Sequence, residues 1–95
     1  MKPNRKLFIL YVGHDNYLKA RFKESVICEL CDRFFQGYTI HKTNGYYLGE
    51  KEQSYIIEIV THEERQVNKL KTTLINKLNQ DSVLKISYPL DTAEF

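Results

Sequence analysis

Apolar residues recur along this chain with two different periods, and each change of period marks a new element. Leu7-Phe8-Ile9-Leu10-Tyr11-Val12 is an unbroken apolar run of strand length, closed by Gly13. Both alternating faces of that run are apolar, which predicts a central strand covered on both sides. From Asn16 or Tyr17 to Phe35 the spacing opens to Leu18, Phe22, Val26, Leu30 and Phe34, with Ile27 and Cys31 beside them. Lys19, Lys23, Glu24, Asp32 and Arg33 fall on the opposite side, as in an amphipathic helix. Gln36-Gly37 ends the stripe, glycine being a good residue just past a helix. Tyr38 to Thr43 alternates and is rich in β-formers, and Tyr46-Tyr47-Leu48 resumes the same strand after a bulge or bend at Gly45.

Polar Gly49-Glu50-Lys51-Glu52-Gln53 reads as the turn into the clearest strand of the chain, Ser54 to Val60. Thr61, with Glu64 three residues on, has the spacing of a helix capping box. Val67, Leu70, Leu74 and Leu78 form the next helical stripe, with Ile75 adjoining, and Asn79-Gln80-Asp81 stops it. Ser82 to Tyr88 is a last short strand, ended by Pro89, which has no amide hydrogen for a ladder. The order βαββαβ predicts an α+β, ferredoxin-like sandwich: a four-stranded antiparallel sheet with two helices on one face, in a single domain over 1–95. The other face of such a sheet stays bare. The apolar first strand, with Ile56 and Val60 on the third, implies that something covers it, and a homo-oligomer, dimer or higher, is the simplest cover.

Composition narrows the function classes. Ninety-five residues allow one compact domain and exclude a two-lobed enzyme with a cleft between lobes. Fourteen Lys+Arg against 12 Asp+Glu give a net charge of +2, too balanced for a nucleic-acid partner held by bulk electrostatics. Glu58 also stands on the strand where an RNA-binding domain of this fold would pass phosphate. No apolar run approaches a membrane span, and the short run after Lys2 to Lys6 is brief for a secretory signal, so a cytoplasmic location is expected, that of the host bacterium if a phage encodes the chain.

Cys28 and Cys31 form a C-x-x-C inside the first helical stripe rather than at a helix start, so they read as small buried apolar side chains instead of a redox pair. His14, His41 and His62 are scattered singly, so no metal site is expected, and no cofactor either. No spacing supports a nucleophile with its base or a carboxylate pair, and catalysis is not expected. What remains suits binding. Tyr46 and Tyr47 can stack on a base, Lys42 and Arg21 can hold phosphate, and His14 and Asn16 can shape a pocket at the first helix start. The plainer alternative is a hairpin with ordinary edge-strand charges and half-buried tyrosines.

Gly37-Tyr38-Thr39-Ile40, Asn44-Gly45-Tyr46-Tyr47-Leu48-Gly49, Glu52-Gln53-Ser54-Tyr55-Ile56-Ile57-Glu58-Ile59 and Asn79-Gln80-Asp81-Ser82-Val83-Leu84 together follow a recurring layout. The chain here resembles a family of small, mostly uncharacterised phage and bacterial proteins with a G-Y-W/Y…E-x-S-x-I-I-E-I…N-Q-E-S/A-V-L pattern. Tyr47 stands where tryptophan is usual and Asp81 where glutamate is. The resemblance implies a phage-type protein, and with the aromatic and basic cluster it suggests a non-enzymatic one that sequesters a small anionic nucleotide signal at an oligomer interface, against host defence. The alternatives are a module that inhibits a host protein through the open sheet face, or a small hydrolase using His14.

Overall fold

The computed structural model describes residues 5–90. Along them run β1 (Lys6–Val12), α1 (Glu24–Asp32), β2 (Thr39–Tyr47), β3 (Glu50–Thr61), α2 (Glu64–Lys77) and β4 (Leu84–Pro89). All pairings are antiparallel and the sheet order is β2-β3-β1-β4, the ferredoxin-like arrangement that the order of elements predicts. β1 is central, paired with β3 on one side and β4 on the other.

Phe8, Leu10 and Val12 of β1 and Tyr55, Ile57 and Ile59 of β3 turn to one face and are at most 1% exposed. Ile27, Leu30 and Cys31 from α1 and Val67, Leu70 and Leu74 from α2 close over them in a single core. Each such aliphatic, fully buried, contributes about 1.5–3 kcal/mol, so the helices are held by this stripe rather than by their ends. At the start of α2, Lys85 on β4 reaches Glu64 at 3.1 Å and Lys6 on β1 reaches it at 3.4 Å. Hydrogen bonding and charge from Lys85, then from Lys6, hold the Glu64 carboxyl below the usual carboxylate range. No helix among the described residues is long and apolar enough to cross a membrane.

Three expected boundaries shift, each for a local reason. The first helix begins at Glu24, not at Asn16 or Tyr17. Asp15 Oδ1 accepts the amide hydrogens of Tyr17 (2.8 Å) and Leu18 (3.1 Å), and Asp15 pairs with Ala20 across a small loop. That side-chain turn competes with helix, as short acidic residues do. Leu18 is consequently exposed, and Ile27 and Cys31 carry the packing in its place.

The hairpin also differs. β2 and β3 pair one for one through Gly45↔Glu52, with no bulge, and the turn is Leu48-Gly49 alone. Both residues are left-handed (φ 51° and 79°), the requirement of a two-residue hairpin turn. The polar stretch 50–53 is strand because a hairpin projecting into solvent needs no apolar alternation. Lastly, Thr61 ends β3 and accepts the Glu63 amide hydrogen at 3.1 Å, while Glu63 takes the N-cap position without a side-chain cap.

Candidate functional site: a notch at the end of the central strand

β1 ends at Val12, opposite Tyr55, but β3 begins five residues earlier, at Glu50. The β2–β3 hairpin therefore continues alone past the sheet body for about 17 Å at 3.4 Å per residue. The step so formed is a notch of about 280 Å³ on the side of the sheet away from the helices. Gly45, Glu52 and Ser54 form its floor, Tyr11, Leu84, Gln80 and Ser82 its sides, and Tyr46 and Tyr47 its rim.

Gly13, at the end of β1, sets the position of the carboxylate. A β-carbon on Gly13 would lie 2.0 Å from Glu52 Oε1 and 2.9 Å from Gln80 Oε1, so no larger residue admits this packing. The His14 amide donates to Glu52 Oε1 at 3.2 Å. The Gly13 amide donates to Gln80 Oε1 at 3.0 Å, and Gln80 Nε2 donates to the His14 carbonyl at 3.0 Å. The Gln80 amide thus takes the place of a neighbouring strand, accepting the N–H of Gly13 and donating to the carbonyl of His14. Backbone groups that would be stranded where β4 stops are satisfied by it. Glu52 is the single ionisable carboxylate on the notch wall, and no Lys or Arg lines it.

The residues anticipated from sequence divide in two. Tyr46 and Tyr47 rim the notch, 72% and 73% exposed, and His14 reaches it through its backbone amide. Arg21, Lys42 and Asn16 are elsewhere. Arg21 Nη2 donates to the Thr43 carbonyl at 2.9 Å, and its guanidinium stands 5.8 Å from the centre of the Tyr55 ring, on the helix side of the sheet. Its Nε is buried without a partner. Arg21 clamps the loop after β1 to the hairpin. Lys42 pairs with Tyr55 and so shares that helix-side face, exposed. Asn16 donates to the Asn79 carbonyl at 3.1 Å and ties the same loop to the end of α2.

Glu52, Gln80, Ser54 and Ser82 were not singled out by composition or periodicity. They fall in the Glu52-Gln53-Ser54 and Asn79-Gln80-Asp81-Ser82 segments, which the fold brings together in space although 28 positions separate Glu52 from Gln80. The cysteines are packing: Cys31 is fully buried, and burial, with Cys28 and Asp32 adding, pushes its thiol up to about 12. Next to it the Tyr38 hydroxyl donates to Asp32 Oδ1 at 2.7 Å, and burial and that bond raise its pKa.

No protein-family model matches the chain, and no curated protein does. Solved structures do. A phage SAM lyase in complex with S-methyl-5'-thioadenosine superposes with a TM-score of 0.71 at 18% identity, over 95% of this chain and 92% of that one. The apo phage SAM lyase gives 0.63 at 14% identity, over 94% and 92%. A DUF3240 family protein from Shewanella baltica gives 0.65 at 16%, over 99% and 98%. At these identities the likeness establishes the fold. It also corrects one expectation: a chain of this size and fold was expected to do no chemistry, yet a neighbour matched over nearly its whole length is an enzyme.

Proposed function

We propose that this protein binds S-adenosylmethionine in the notch beside Glu52 and cleaves it, releasing S-methyl-5'-thioadenosine. The observation that carries the reading is the charge of the notch: one fixed carboxylate, two tyrosines at the rim and no basic side chain. Such a wall suits an aromatic nucleoside that bears a cation, and it disfavours a phosphate, which would meet Glu52 unshielded. The solved neighbour supports the choice, since its ligand is an adenine thioether and its substrate a sulfonium. Tyr47, on the same face as Glu52, stacks on the base, and Glu52 faces the positive end.

Lyase chemistry asks little more of the protein. Breaking the bond between sulfur and the methionyl γ-carbon returns the electron pair to sulfur and discharges it. The carbon side is closed within the substrate, by its own carboxylate or by loss of a proton, so no water or second substrate enters. Holding the chain in a reactive conformer is then the main contribution, and positioning alone supplies large accelerations. We take the active form to be a homo-oligomer with the notch at the boundary between copies, because the notch opens onto the bare sheet face. A phage-type role against host defence follows from removing the host's methyl donor.

The purified protein, mixed with S-adenosylmethionine and followed by chromatography, is expected to release S-methyl-5'-thioadenosine. Glu52→Gln is expected to lose about 1.5–3 kcal/mol of substrate binding, the worth of a hydrogen bond to a charged group. Substrate recovered intact at stoichiometric protein would overturn the reading.

A further inference from the structure

The helix layer, on the other side of the sheet from the notch, has a groove of its own. It runs along α2 beside Phe34, just past the end of α1, and encloses about 490 Å³. That lies within the roughly 300–1,000 Å³ of ligand pockets. Arg65, Asn68, Lys69, Thr72 and Thr73 line it together with Phe34. Counted from Arg65 they fall at the spacings of a single helical face, so the wall is written into the sequence of α2.

Charge, one amide and the floor define what the groove can hold. On α2, Arg65, Lys69, Lys71 and Lys77 stand against Glu64 alone. Glu64 is engaged by Lys85 and Lys6, and among the described residues neither Arg65 nor Lys69 enters an ion pair. No carboxylate lines the groove. Asn68 Oδ1 accepts from the Lys85 ammonium at 2.6 Å. An ammonium only donates, so the oxygen of this amide must face Lys85, and the Nδ2 hydrogens are left for another acceptor. Thr72 Oγ1 donates to the Asn68 carbonyl at 3.1 Å, and Thr73 Oγ1 to the Lys69 carbonyl at 2.9 Å. Both hydroxyls are turned back onto the helix. Their methyl groups, the Phe34 ring and the aliphatic stems of Arg65 and Lys69 give the groove an apolar floor between its cations.

We propose that this groove docks an acidic peptide segment of a partner protein. One large apolar side chain of the segment sits against Phe34, and carboxylates on either side of it meet Arg65, Lys69 and the Asn68 amide. A phosphate chain answers the charge but has nothing apolar for the floor. A neutral apolar peptide fills the floor and leaves the cations unanswered. An acidic segment with one anchor residue does both: its charges steer the encounter and the anchor supplies most of the affinity. Groove and notch lie on opposite sides of the sheet, so a partner held here leaves the notch open. The proposal therefore does not rest on the chemistry assigned to Glu52.

A library of random peptides, selected on immobilised wild-type protein and counter-selected on Arg65→Glu/Lys69→Glu, tests this. Selected sequences are expected to place Asp or Glu on both sides of one large apolar residue. The best of them, synthesised, is expected to bind the double variant roughly tenfold more weakly or worse, with unchanged circular dichroism, since both side chains are exposed. Thr72→Glu, which sets a carboxylate on the floor, is expected to weaken binding too. Lys77→Glu, about 12 Å along the helix from Lys69, is expected to bind like wild type at physiological salt, where charges are screened over about 8 Å. No enrichment, selected peptides without acidic residues, or an equal loss in Lys77→Glu overturns the proposal. Displacement of the peptide by oligothymidylate would make the groove a phosphate site and overturn it. Wild-type self-association that the double variant abolishes would make a second copy the occupant, and overturn it as well.

Discussion

The two faces of this sheet are made from the same strands and differ in what covers them. Toward the helices, Phe8, Leu10, Val12, Tyr55, Ile57 and Ile59 are sealed, and no charged side chain is buried among them. Away from the helices, Leu7, Ile9 and Tyr11 alternate with those residues on β1 and are nearly as apolar, yet Tyr11 stays 38% exposed. A single-domain fold explains the first face completely and the second not at all. The apolar character of the second face is therefore not explained by the stability of one chain, and the notch sits at its margin.

The largest test of that difference is truncation on each face. Leu10→Ala is expected to cost about 2–5 kcal/mol in urea denaturation, the usual range for a sealed core leucine. Ile9→Ala, one residue away and half-buried, is expected to cost about 2 kcal/mol or less in dilute protein, because part of its surface is wet in both states. Raising protein concentration should enlarge the Ile9→Ala cost and leave that of Leu10→Ala unchanged. Equal costs at every concentration would erase the distinction between the faces.

Gly13→Ala comes next, because it acts where the faces meet. The added methyl displaces the Glu52 carboxylate, which a β-carbon would approach to 2.0 Å. The clashing atoms are the far ends of two flexible side chains, so they swing aside at little cost to stability while the ligand affinity of the notch should fall. Gly37→Ala, with nothing within 4 Å of the added carbon, is the matched control and should leave both readouts in place. A Gly13→Ala protein that binds S-methyl-5'-thioadenosine like wild type would detach Glu52 from the site.

How much of this was legible in the sequence follows the same division. The covered face was readable, because Val67, Leu70, Leu74 and Leu78 repeat at helical spacing and Leu7 to Val12 could only be a buried strand. The start of α1 was not, because Leu18 and Phe22 continue the stripe while a single carboxylate, Asp15, holds the chain in a turn that periodicity does not register. At the site, Tyr46 and Tyr47 were legible as aromatic surplus near a glycine. Glu52 and Gln80 were not, since their roles depend on the missing side chain of Gly13 and on strands of unequal length. Lys42 and Arg21 were attractive as phosphate ligands by type. Alternation puts Lys42 on the face of Tyr55, and the Thr43 carbonyl engages Arg21.

Titration measures the covered face in another way. Cys31 lies fully inside it, and burial raises its thiol from 9.0 to about 12. The unfolded chain therefore loses this proton first as pH rises. The stability it represents is whole below pH 9, declines above it, and is lost as pH approaches 12, by about 1.4 kcal/mol per pH unit. Tyr38 and Tyr55 are also raised and add to the alkaline decline, so the difference between wild type and Cys31→Ala isolates the thiol. The variant should lose less stability between pH 9 and 11 than wild type. Native Cys31 should also alkylate far more slowly than Cys28.

The smallest effect concerns the hairpin tip, at the far end of the open face. Leu48 holds a left-handed conformation (φ 51°) while its side chain is 86% exposed. Asparagine before glycine is the favoured pair for this turn, and an ordinary side chain there costs about 1–2 kcal/mol relative to residues that tolerate the region. Leu48→Asn is thus expected to stabilise the isolated chain by about 1 kcal/mol, read as a shift of the urea midpoint with unchanged slope. Leucine at this position strains the backbone and gains no burial within one chain. If the tip packs against a second copy, the same substitution should weaken self-association while it strengthens the fold. Were it to strengthen both, the apolar tip would have no partner, and the contrast between the two faces would end at the sheet body.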